Sequence, residues 1–489
     1  MLSIKTQQYM SVLTDSEFEQ FQKLILDRTG IYFGQRRRSE LQRHVQSTMK
    51  KQQMPEVDRL YKQLVQQSTE SPLWELLIEH IIVGETYFFR EQLLFEALRN
   101  KVLPDIIKHH EKDRSLRIWS AGCSTGEEPY SLAILLDKLL GPAIDQWRIF
   151  ILATDINKPS LKKGIDGQYR KWSLRQTPNN IISTYFDEKN DIYQICKKIH
   201  RRVMFSYLNL KSPVYPSLST CTQAMDLILW RNVAIYFTTD VIADVLNRFH
   251  QCLLPSGYFN IGASEAGHMA DTQFVQVPVT GAFIYQKTHS EPQMIKKPTI
   301  PLEKPAKQPA TSPLHQFQYQ KPQKPPVPEK KKQSQLEMAE TFTKERNFSK
   351  AIAAYQAHLK LSPKDAQAWY QMARVYANMG DLENAKNACM RALDHEPLLV
   401  EAYYIKGLIH EEDGELDAAI NDYKKILYLN SDFVLAHYHL STVYQQIQDD
   451  KMAERHRIQA IRMLSRLPED ETIPGSDDLT TQQLLAMIG

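Results

Sequence analysis

The clearest candidate for a chemical site in this 489-residue sequence is a run of small residues between a predicted strand and a predicted helix. Apolar residues up to Ser120 predict a strand, and residues 121–126 are Ala, Gly, Cys, Ser, Thr and Gly. Pro129 beside two acidic residues predicts that a helix begins at about Glu128. Small side chains at the carboxyl end of a strand let a ligand lie against the backbone, so this loop is predicted to bind one.

The composition of the loop favours a cationic nucleoside over a phosphate. A P-loop would need Gly-Lys-Ser/Thr, and GxGxxG would need a third glycine beside Gly122 and Gly126. Glu127 and Glu128 add negative charge, which would repel a phosphate. Asp155 ends the next predicted strand, where a carboxylate typically accepts hydrogen bonds from ribose hydroxyls. S-adenosyl-L-methionine is such a nucleoside; the alternative is a tight turn with no ligand.

Six sequence blocks resemble, in the same order, the CheR-type chemotaxis receptor methyltransferases. They read TYFFR, WSAGCSTGEEPY, ATDIN, NL, RNVAIYF and GYFNIGASE, and they begin at Thr86, Trp119, Ala153, Asn209, Arg231 and Gly257. The resemblance covers about residues 12–288. It implies methyl transfer from S-adenosyl-L-methionine to glutamate side chains of chemoreceptors, with S-adenosyl-L-homocysteine as the product. Some family members also carry tetratricopeptide repeats behind the catalytic domain.

The resemblance implies roles only at the positions that match. It implies that Glu127 holds the methionine ammonium and that Asp155 holds the ribose. It implies that Arg90 contacts both the cofactor and the acceptor carboxylate, and that Tyr236 lies beside the reacting centre. The implied catalytic residues are Arg90 and Tyr236, no metal is implied, and the implied cofactor contacts are Thr86, Arg90, Ala121, Glu127, Asp155, Asn209, Leu210, Arg231 and Asn232.

Methyl transfer to a carboxylate depends on alignment more than on acid–base catalysis. Free Glu titrates near ~4.3, so the acceptor is ionised at neutral pH and needs no general base. Arg90 suits a planar two-point contact with that carboxylate, although an ion pair with Glu91 or Glu96 would also explain it. Tyr236 has a packing role as its alternative, and we interpret Cys123 as a core thiol.

A basic run lies near the start of the chain. Arg36, Arg43 and Lys50 recur every seven residues and would share one face of a helix. The resemblance implies that this face docks on the cytoplasmic helical bundle of a chemoreceptor; a solvated surface is the alternative. Nucleic acid is a weaker candidate because the run is short and lacks interleaved aromatic residues.

Two folded units must position these side chains. Helical periodicity from residue 15 to residue 110, with Ser16 as a candidate N-cap, predicts an N-terminal helical domain. The segments that follow alternate between apolar runs and helices, with strands predicted at 116–120, 149–154, 227–230 and 258–262. This alternation predicts a doubly wound α/β domain. The resemblance implies that it is an S-adenosylmethionine-dependent methyltransferase domain. We expect the helical substrate-recognition domain at 12–90 and the cofactor-binding domain at 91–288.

A proline-rich segment separates these units from the rest of the chain. Ten of the 25 prolines lie between Pro292 and Pro328, among many lysines. Proline fixes φ and lacks an N–H donor, so it disfavours helix and sheet. The segment predicts an extended linker at about 289–331.

A 34-residue repeat follows the linker. When one repeat begins at residue 366, its eighth and twentieth residues are Ala373 and Ala385, and small residues recur at these positions in four registers. Four tetratricopeptide repeats are predicted over 332–467, with a capping helix inside 468–489. A helical solenoid exposes a concave surface, so we expect an unidentified protein or peptide partner; a passive spacer or a dimer contact is the alternative.

The overall composition excludes several classes of protein. The sequence has 60 Lys and Arg against 57 Asp and Glu, and the net charge of +3 is too small for a protein that coats nucleic acid. Its five cysteines lack CxxC spacing, which argues against a zinc ribbon or a disulfide framework. The sequence contains no signal-peptide pattern and no apolar stretch that would span a bilayer. We expect a cytoplasmic protein with no membrane insertion.

Two functions remain open at this point. The first is a protein-glutamate O-methyltransferase whose repeats form an interaction module. The alternative is a non-catalytic or differently targeted regulatory scaffold that uses the repeats to recruit a partner. Retention of Glu127, Asp155 and Arg90 favours the enzyme.

Overall fold

The structure is a computed structural model, and it describes residues 12–82, 84–270, 272–287, 334–476 and 478–488. It confirms the predicted fold class: a helical domain, then an α/β domain, then an all-α solenoid. The predicted linker at 289–331 lies outside the described residues. No helix in the described ranges has the length and apolar character needed to cross a membrane.

The first part of the described chain is helical. Its helices are α1 (Asp15–Thr29), α2 (Arg38–Lys51), α3 (Val57–Gln66), α4 (Pro72–Ile81), α5 (Gln92–Ala97) and α6 (Leu103–His109), with a 3₁₀ turn at Gln35–Arg37 and a π turn at Leu98–Val102. The N-cap of α1 is Thr14 rather than the predicted Ser16. Thr14 accepts from the backbone N–H of Glu17, and the Glu17 carboxylate accepts from the backbone N–H of Thr14, which forms a capping box.

The α/β domain follows, and its described residues form ten strands and five α-helices. The strands are β1 (Ser115–Ala121), β2 (Arg148–Asp155), β3 (Gln168–Arg170), β4 (Phe186–Lys189), β5 (Ile192–Ile195), β6 (Val203–Tyr207), β7 (Met225–Trp230), β8 (Leu253–Ile261), β9 (Phe274–Val277) and β10 (Ile284–Lys287). The α-helices are α7 (Glu127–Leu140), α8 (Lys158–Asp166), α9 (Asn179–Tyr185), α10 (Lys197–His200) and α11 (Thr239–Cys252). Short 3₁₀ helices lie at Gly141–Gln146, Lys171–Leu174, Ala234–Tyr236 and Ala263–Met269.

The main sheet has the order β6-β2-β1-β7-β8-β10-β9, and β3, β5 and β4 form a separate small sheet. The strands from β6 to β8 are parallel, whereas β10 pairs antiparallel with both neighbours. The chain moves outward from β1 on one side to β2 and β6 and on the other side to β7 and β8. The carboxyl ends of β1 and β7 therefore flank the point where the winding reverses, which is where open α/β sheets bind ligands.

The sequence predicts four of these strands, namely β1, β2, β7 and β8. The main sheet buries them on both faces, and this burial leaves a continuous apolar run in the sequence. The strands that the sequence misses have three to five residues each. Strands that short carry too little periodicity to be distinguished from loops.

Four antiparallel helix pairs form the solenoid. They are α12 (Gln335–Lys344) with α13 (Phe348–Leu361), α14 (Ala366–Asn378) with α15 (Leu382–His395), α16 (Val400–Glu412) with α17 (Leu416–Leu429), and α18 (Val434–Gln446) with α19 (Asp450–Leu464); α20 (Thr481–Ile488) follows. The small repeat residues lie where paired helices cross, and Ala373 and Ala385 are fully buried. A Cβ atom at Gly407 would lie 2.6 Å from Cε1 of Tyr423, so only glycine fits this crossing.

The solenoid packs against the α/β domain instead of standing apart from it. The Arg117 guanidinium, near the start of β1, pairs with the carboxylate of Glu412 at the end of α16. Arg148 at the start of β2 donates to the carbonyl of Asp413. The turns between paired helices thus contact the amino ends of the strands, at the edge of the sheet opposite to its ligand-binding edge. The sequence does not predict this contact.

Candidate functional site

A cleft of about 950 Å³ lies between the helical domain and the carboxyl edge of the main sheet. The helical side of the cleft is lined by Thr29, Ile31 and Ile82, and the segment between the domains contributes Gly84, Glu85, Thr86, Arg90 and Phe95. The α/β domain contributes Gly122, Cys123, Ser124, Glu128, Asp155, Ile156, Leu208, Asn209, Leu210, Arg231, Asn232, Val233, Tyr236 and Phe237.

The small-residue loop after β1 forms the floor of the cleft. Gly122 and Gly126 have φ values of +81° and +91°, in the left-handed region that favours glycine. A Cβ at Gly122 would lie 2.3 Å from a methyl carbon of Val233, and one at Gly126 would lie 2.7 Å from the Phe205 ring. The glycines are therefore required by the backbone and by close packing, and they let the loop turn sharply under the cleft.

Asp155 lies at the end of β2 with its carboxylate against this loop. Oδ2 accepts from the backbone N–H of Ser124, and Oδ1 accepts from the backbone N–H of Asn157, each at 2.8 Å. Burial raises the pKa of the Asp155 carboxyl above its ordinary value, and the backbone donors oppose that rise. The carboxylate has lone pairs left for two hydroxyl groups in the cleft.

The two glutamates that follow the loop point in different directions. Glu127 is only 2% exposed, and its carboxylate accepts from Thr125 Oγ1 at 2.6 Å and from Ser173 Oγ at 2.9 Å. Burial raises the pKa of the Glu127 carboxyl. Glu128 lines the cleft and accepts from Arg231 Nη1 at 2.7 Å, whereas Glu127 lies behind the wall. Of the two acids considered in the sequence, the structure therefore places Glu128 on the cleft.

Arg231 connects both walls of the cleft through a buried network. Its side chain is 2% exposed and lies 2.7 Å from Glu128 and 3.0 Å from Glu91. Its Nη2 also donates to the backbone carbonyl of Arg90 at 3.1 Å. Phe89 and Glu91, on either side of Arg90, have φ values of +58° and +66°, a conformation that costs energy outside glycine. The network holds this strained turn, and the turn carries Arg90.

Arg90 itself lines the cleft. It is half-buried, and its Nη1 donates to the backbone carbonyl of Glu85 at 2.8 Å. An ion pair between Arg90 and Glu91 is the alternative considered from the sequence, but Glu91 pairs with Arg231 instead. The Arg90 side chain has one more described contact: its Cζ lies 5.8 Å from the centroid of the Tyr87 ring. The remaining guanidinium nitrogens are available to an acceptor in the cleft.

The wall at Asn209 and Leu210 is anchored to the helical domain. Asn209 Nδ2 donates to the carbonyl of Arg28 at 2.8 Å, and Lys211 Nζ donates to the carbonyl of Leu26 at 2.9 Å. Both carbonyls belong to the last turn of α1, and that of Leu26 also accepts from the backbone N–H of Gly30. Leu210 adds apolar surface to the cleft. The position of the helical domain therefore affects the shape of this wall.

The loop after β7 carries Asn232 and Tyr236. Glu265, 1% exposed, accepts from the backbone N–H groups of Asn232, Ile235 and Gly262 at 2.8, 3.2 and 3.1 Å. The carbonyl of Tyr236 accepts from the N–H of Tyr32 at 2.8 Å, which joins the loop to the helical domain. Burial raises the pKa of the Tyr236 hydroxyl above its ordinary value, so it stays protonated at neutral pH.

The basic residues near the start of the chain lie on an exposed surface. Arg36, Arg43 and Lys50 are all exposed. Arg43 and Lys50 belong to α2, whereas Arg36 lies in the 3₁₀ turn just before it, so the predicted single helix is interrupted there. Arg37, between them and the cleft, pairs with Glu40 at 2.7 Å and lies 5.7 Å from the ring centroid of Tyr236. The basic surface thus continues toward the cleft.

The cleft brings together most of the residues that the sequence singles out. They are Thr86, Arg90, Asp155, Asn209, Leu210, Arg231, Asn232 and Tyr236. Ala121 and Glu127 are buried next to the wall and do not line it. The direction of Glu128 and the supporting contacts of Ser173 and Glu265 are not predictable from the sequence, because a single sequence does not reveal which way a side chain turns.

These groups fit S-adenosyl-L-methionine. Asp155 faces the cleft with lone pairs for a ribose diol, and Leu208, Leu210 and Phe237 offer apolar surface for an adenine ring. Glu128 supplies negative charge close to the loop for an ammonium or sulfonium group. No group of three His, Cys, Asp or Glu side chains suited to a metal ion occurs in the described part of the chain.

Comparison with known families identifies both halves of the chain. The family model described as "CheR methyltransferase, SAM binding domain" matches residues 84–283, and the model described as "CheR methyltransferase, all-alpha domain" matches residues 16–82. Two models, each described as "Tetratricopeptide repeat", match residues 342–405 and 400–433.

Curated relatives agree with this division. The chain is 32% identical over 274 residues to "Chemotaxis protein methyltransferase Cher2" of Pseudomonas putida, and the match covers 55% of this chain and 97% of the relative. It is 27% identical over 399 residues to "Probable biofilm formation methyltransferase WspC" of the same organism, covering 81% of this chain and 87% of the relative.

Among solved structures, "MamA 41-end from Desulfovibrio magneticus RS-1" matches with a TM-score of 0.26 and 21% identity, and the match covers 27% of this chain and 75% of that chain. The match over nearly the full length of a chemotaxis methyltransferase, together with the two catalytic-unit models, decides the family. As the sequence predicts, this chain belongs to the CheR-type chemotaxis methyltransferases, which use S-adenosyl-L-methionine, and it carries tetratricopeptide repeats behind the catalytic unit.

Proposed function

We propose that this chain is a protein-glutamate O-methyltransferase that acts on the cytoplasmic helical bundle of a chemoreceptor. The observation that carries the proposal is the position of Arg90, which lines the cleft on a turn whose backbone carbonyl accepts from the buried Arg231 side chain. A guanidinium at this place suits an incoming carboxylate better than it suits a hydroxyl or an amine. The relatives' names refer to chemotaxis, and the proposed acceptor places the reaction in the cytosol.

In the proposed reaction the protein aligns two reactants and excludes water. The cofactor supplies an activated methyl group on its sulfonium. Asp155 holds the ribose, Asn209 and Leu210 flank the adenine, and Glu128 balances the positive charge. Arg90 would orient the acceptor carboxylate toward the methyl group that the bound cofactor would supply, and S-adenosyl-L-homocysteine would be left as the product. Alignment and desolvation of this kind contribute up to ~7–11 kcal/mol to lowering a barrier.

Glu127 and Ala121, which the resemblance assigns to the cofactor, receive supporting roles in this proposal. Ala121 ends β1 and sets the direction of the loop. Glu127 fixes that loop from behind through Thr125 and ties it to Ser173. Their substitution should therefore weaken cofactor binding indirectly, through the shape of the loop.

The experiment that tests the proposal uses S-adenosyl-L-methionine labelled in its methyl group and the cytoplasmic fragment of a chemoreceptor. A glutamate methyl ester releases its label as methanol in mild alkali, whereas an N-methyl group does not. We expect receptor label that alkali releases. The alternative function, a non-catalytic scaffold, predicts cofactor binding at most and no label on the receptor. Alkali-stable label would contradict glutamate as the acceptor.

The pH dependence of the rate should reflect the absence of a general base. The acceptor Glu, with an ordinary pKa near ~4.3, is ionised above neutral pH, and the raised pKa of Tyr236 keeps its hydroxyl protonated. We expect a flat rate between pH ~7 and ~9 and a fall on the acid side, where the buried carboxyls of Asp155 and Glu127 take up protons. A rate that keeps rising between pH ~7 and ~9 would contradict this expectation and indicate a general base.

Arg90→Lys should lower turnover without preventing cofactor binding. Lysine keeps the charge and loses the planar two-point contact, so we expect kcat to fall about tenfold, as for the loss of one charged hydrogen bond. The dissociation constant of S-adenosyl-L-homocysteine, measured by calorimetry, should change much less. Arg99→Lys, on the exposed side of the π turn, is the matched control. An unchanged kcat for Arg90→Lys would remove Arg90 from the acceptor site.

Substitutions in the basic surface should weaken receptor binding and leave the methyl-transfer step unchanged. Replacing Arg36, Arg43 and Lys50 together with Glu should raise the KM for the receptor fragment about tenfold at low salt and leave kcat unchanged. The difference should shrink as the ionic strength rises, because exposed charges are screened beyond ~10 Å at 0.1 M salt. The same charge change at Lys386, Arg391 and Lys424 of the solenoid is the control. Equal effects of the two triple variants would refute specific docking.

A further inference from the structure

The concave face of the solenoid is covered by other parts of the same chain. Tyr404 lies in α16, and Leu435 and Tyr438 lie in α18, the first helices of the third and fourth pairs. They are 1%, 1% and 6% exposed. In an open solenoid such side chains would face solvent and form the surface that binds a peptide. Neighbours within the solenoid bury part of this surface, since the Tyr404 ring packs against Phe433 and His439. Segments from outside the repeats cover more of it, as the next contacts show.

One occupant is a turn near the end of the chain, residues 472–476 and 478–480, which we name the C-terminal turn. Thr472 and Thr480 form an antiparallel bridge that closes it, and Ile473 N–H donates to the carbonyl of Leu479 at 2.8 Å. Its tip lies on the concave face: a Cβ at Gly475 would be 3.7–3.8 Å from Leu435, Phe433 and Tyr404. This distance is ordinary van der Waals contact.

The other occupant comes from the α/β domain. It is the segment 213–224, between β6 and β7, which we name the docking loop. Leu218 is 2% exposed and belongs to the apolar core of the solenoid. Its backbone N–H donates to Asn378 Oδ1 at 3.1 Å, at the end of α14. Arg346, between α12 and α13, donates to the backbone carbonyls of Pro213 and Pro216.

A buried charge secures the docking loop. Glu412 of α16 accepts from Gln223 Nε2 at 2.8 Å and pairs with Arg117, whose Nη2 donates to the carbonyl of Cys221 at 2.9 Å. The side chains of Arg117 and Glu412 are 12% and 14% exposed. Two charges so far removed from water are stabilised only when both are paired. The contact is therefore a specific interface between the solenoid and the catalytic unit.

Both occupants are connected to the cofactor cleft. The docking loop continues from Asn209 and Leu210, and Tyr215 donates its hydroxyl to the carbonyl of Leu210 at 2.7 Å. Leu479 of the C-terminal turn belongs to the same apolar cluster as Leu208 and Leu210. The solenoid thus contacts the docking loop, which directly follows the cleft wall at Asn209 and Leu210.

The helix after the C-terminal turn also reaches the helical domain. Gln482 of α20, in the amide orientation that satisfies its neighbours, donates to Ser68 Oγ at 2.6 Å and accepts from the backbone N–H of Ser71 at 3.0 Å. Ser71 caps α4, whose end leads into the segment that carries Thr86. Ala486 packs on the cluster that contains Cys123, which lines the cleft.

We propose that the concave groove of the repeats is an internal binding site, occupied by the docking loop and the C-terminal turn, and that its occupancy is coupled to cofactor binding. A protein that competes for this groove would have to displace these segments and would thereby loosen the cleft. The coupling follows from covalent continuity and shared packing between the docking loop and the wall at Leu210. By reciprocity, the bound cofactor must stabilise the occupied groove by the same factor.

The reactivity of the Cys221 thiol in the docking loop indicates whether the groove is occupied. Cys123, Cys252 and Cys389 are buried, whereas Cys196 and Cys221 are partly exposed. Burial beside Glu412 raises the pKa of the Cys221 thiol, so the reactive thiolate is scarce while the loop is docked. Cys196, in the α/β domain and outside the interface, serves as an internal control in the same molecule.

The test labels the full chain with N-ethylmaleimide and follows each cysteine by mass spectrometry. In the wild type, saturating S-adenosyl-L-homocysteine should slow labelling of Cys221 and leave Cys196 unchanged. Arg346→Ala should speed labelling of Cys221 and weaken cofactor binding, each about fivefold or more. Asn378→Ala should act in the same direction, and Arg391→Ala on the exposed surface of α15 should not. Cys252 and Cys389 must stay protected, which establishes that the variants are folded.

Two results would overturn the proposal. The first is a Cys221 rate that does not respond to S-adenosyl-L-homocysteine although calorimetry detects its binding. The second is faster labelling of Cys221 in both folded variants with unchanged cofactor affinity. A chain that binds no S-adenosyl-L-homocysteine at all would instead overturn the cofactor assignment, and calorimetry on the wild type separates that failure from the other two.

Discussion

Asp155→Ala should weaken the binding of S-adenosyl-L-homocysteine about 100-fold. The variant loses the carboxylate proposed to accept the ribose hydroxyls, and charged hydrogen bonds contribute about 1.5–3 kcal/mol each. It also leaves the N–H groups of Ser124 and Asn157 without the partner that they have now, which loosens the loop under the cleft. Isothermal calorimetry on the full chain measures the effect directly.

Asp155→Asn is the matched control for this prediction. Asparagine keeps one oxygen acceptor and the shape of the side chain, so the variant should lose less affinity than alanine. Asp166→Ala changes an exposed acid at the end of α8 and should leave affinity unaltered. Wild-type affinity in Asp155→Ala would show that the ribose does not bind here.

Arg231→Met should have the largest effect on stability. It removes the buried cation that pairs with the nearly buried Glu128 and with the exposed Glu91, and breaking a buried pair such as Arg231–Glu128 typically costs about 3–5 kcal/mol. The strained turn around Arg90 also loses the donor that holds its carbonyl. We expect a lower denaturation midpoint for the catalytic unit and no measurable methyl transfer.

The double variant Arg231→Met with Glu128→Gln separates charge from packing. If uncompensated charge on Glu128 causes the loss, then neutralising it should recover part of the stability, and the two changes should not be additive. Methyl transfer should stay absent, because the Arg90 turn is still unsupported. A double variant less stable than Arg231→Met alone would refute the proposed role of the network.

The parts of the site that the sequence predicts are those encoded locally. The loop at Gly122 and Gly126 follows a buried strand, and Asp155 ends the next one, so strand ends and the parallel sheet bring them together without further information. The choice between Glu127 and Glu128 is different. Neighbouring residues at the start of a helix point about 100° apart, and only the packing of α7 decides which one faces the cleft.

The sequence does not predict the contact between the solenoid and the catalytic unit, and the reason is a different one. Arg117 and Glu412 are 295 residues apart, and neither lies in a motif that distinguishes it from an exposed charge. The 34-residue repeat predicts four helix pairs because each pair is encoded within its own period. A concave surface that looks available in the sequence is covered in the structure by segments whose own sequences have no repeat pattern.

The most direct test of the account is to map the methylated residues on a chemoreceptor fragment by mass spectrometry. The fragment is incubated with S-adenosyl-L-methionine and either the wild-type chain or Asp155→Ala. The account predicts added methyl groups on Glu side chains with the wild type, their loss in alkali, and none with the variant. Methylation of another residue type, or equal methylation by the variant, would contradict it.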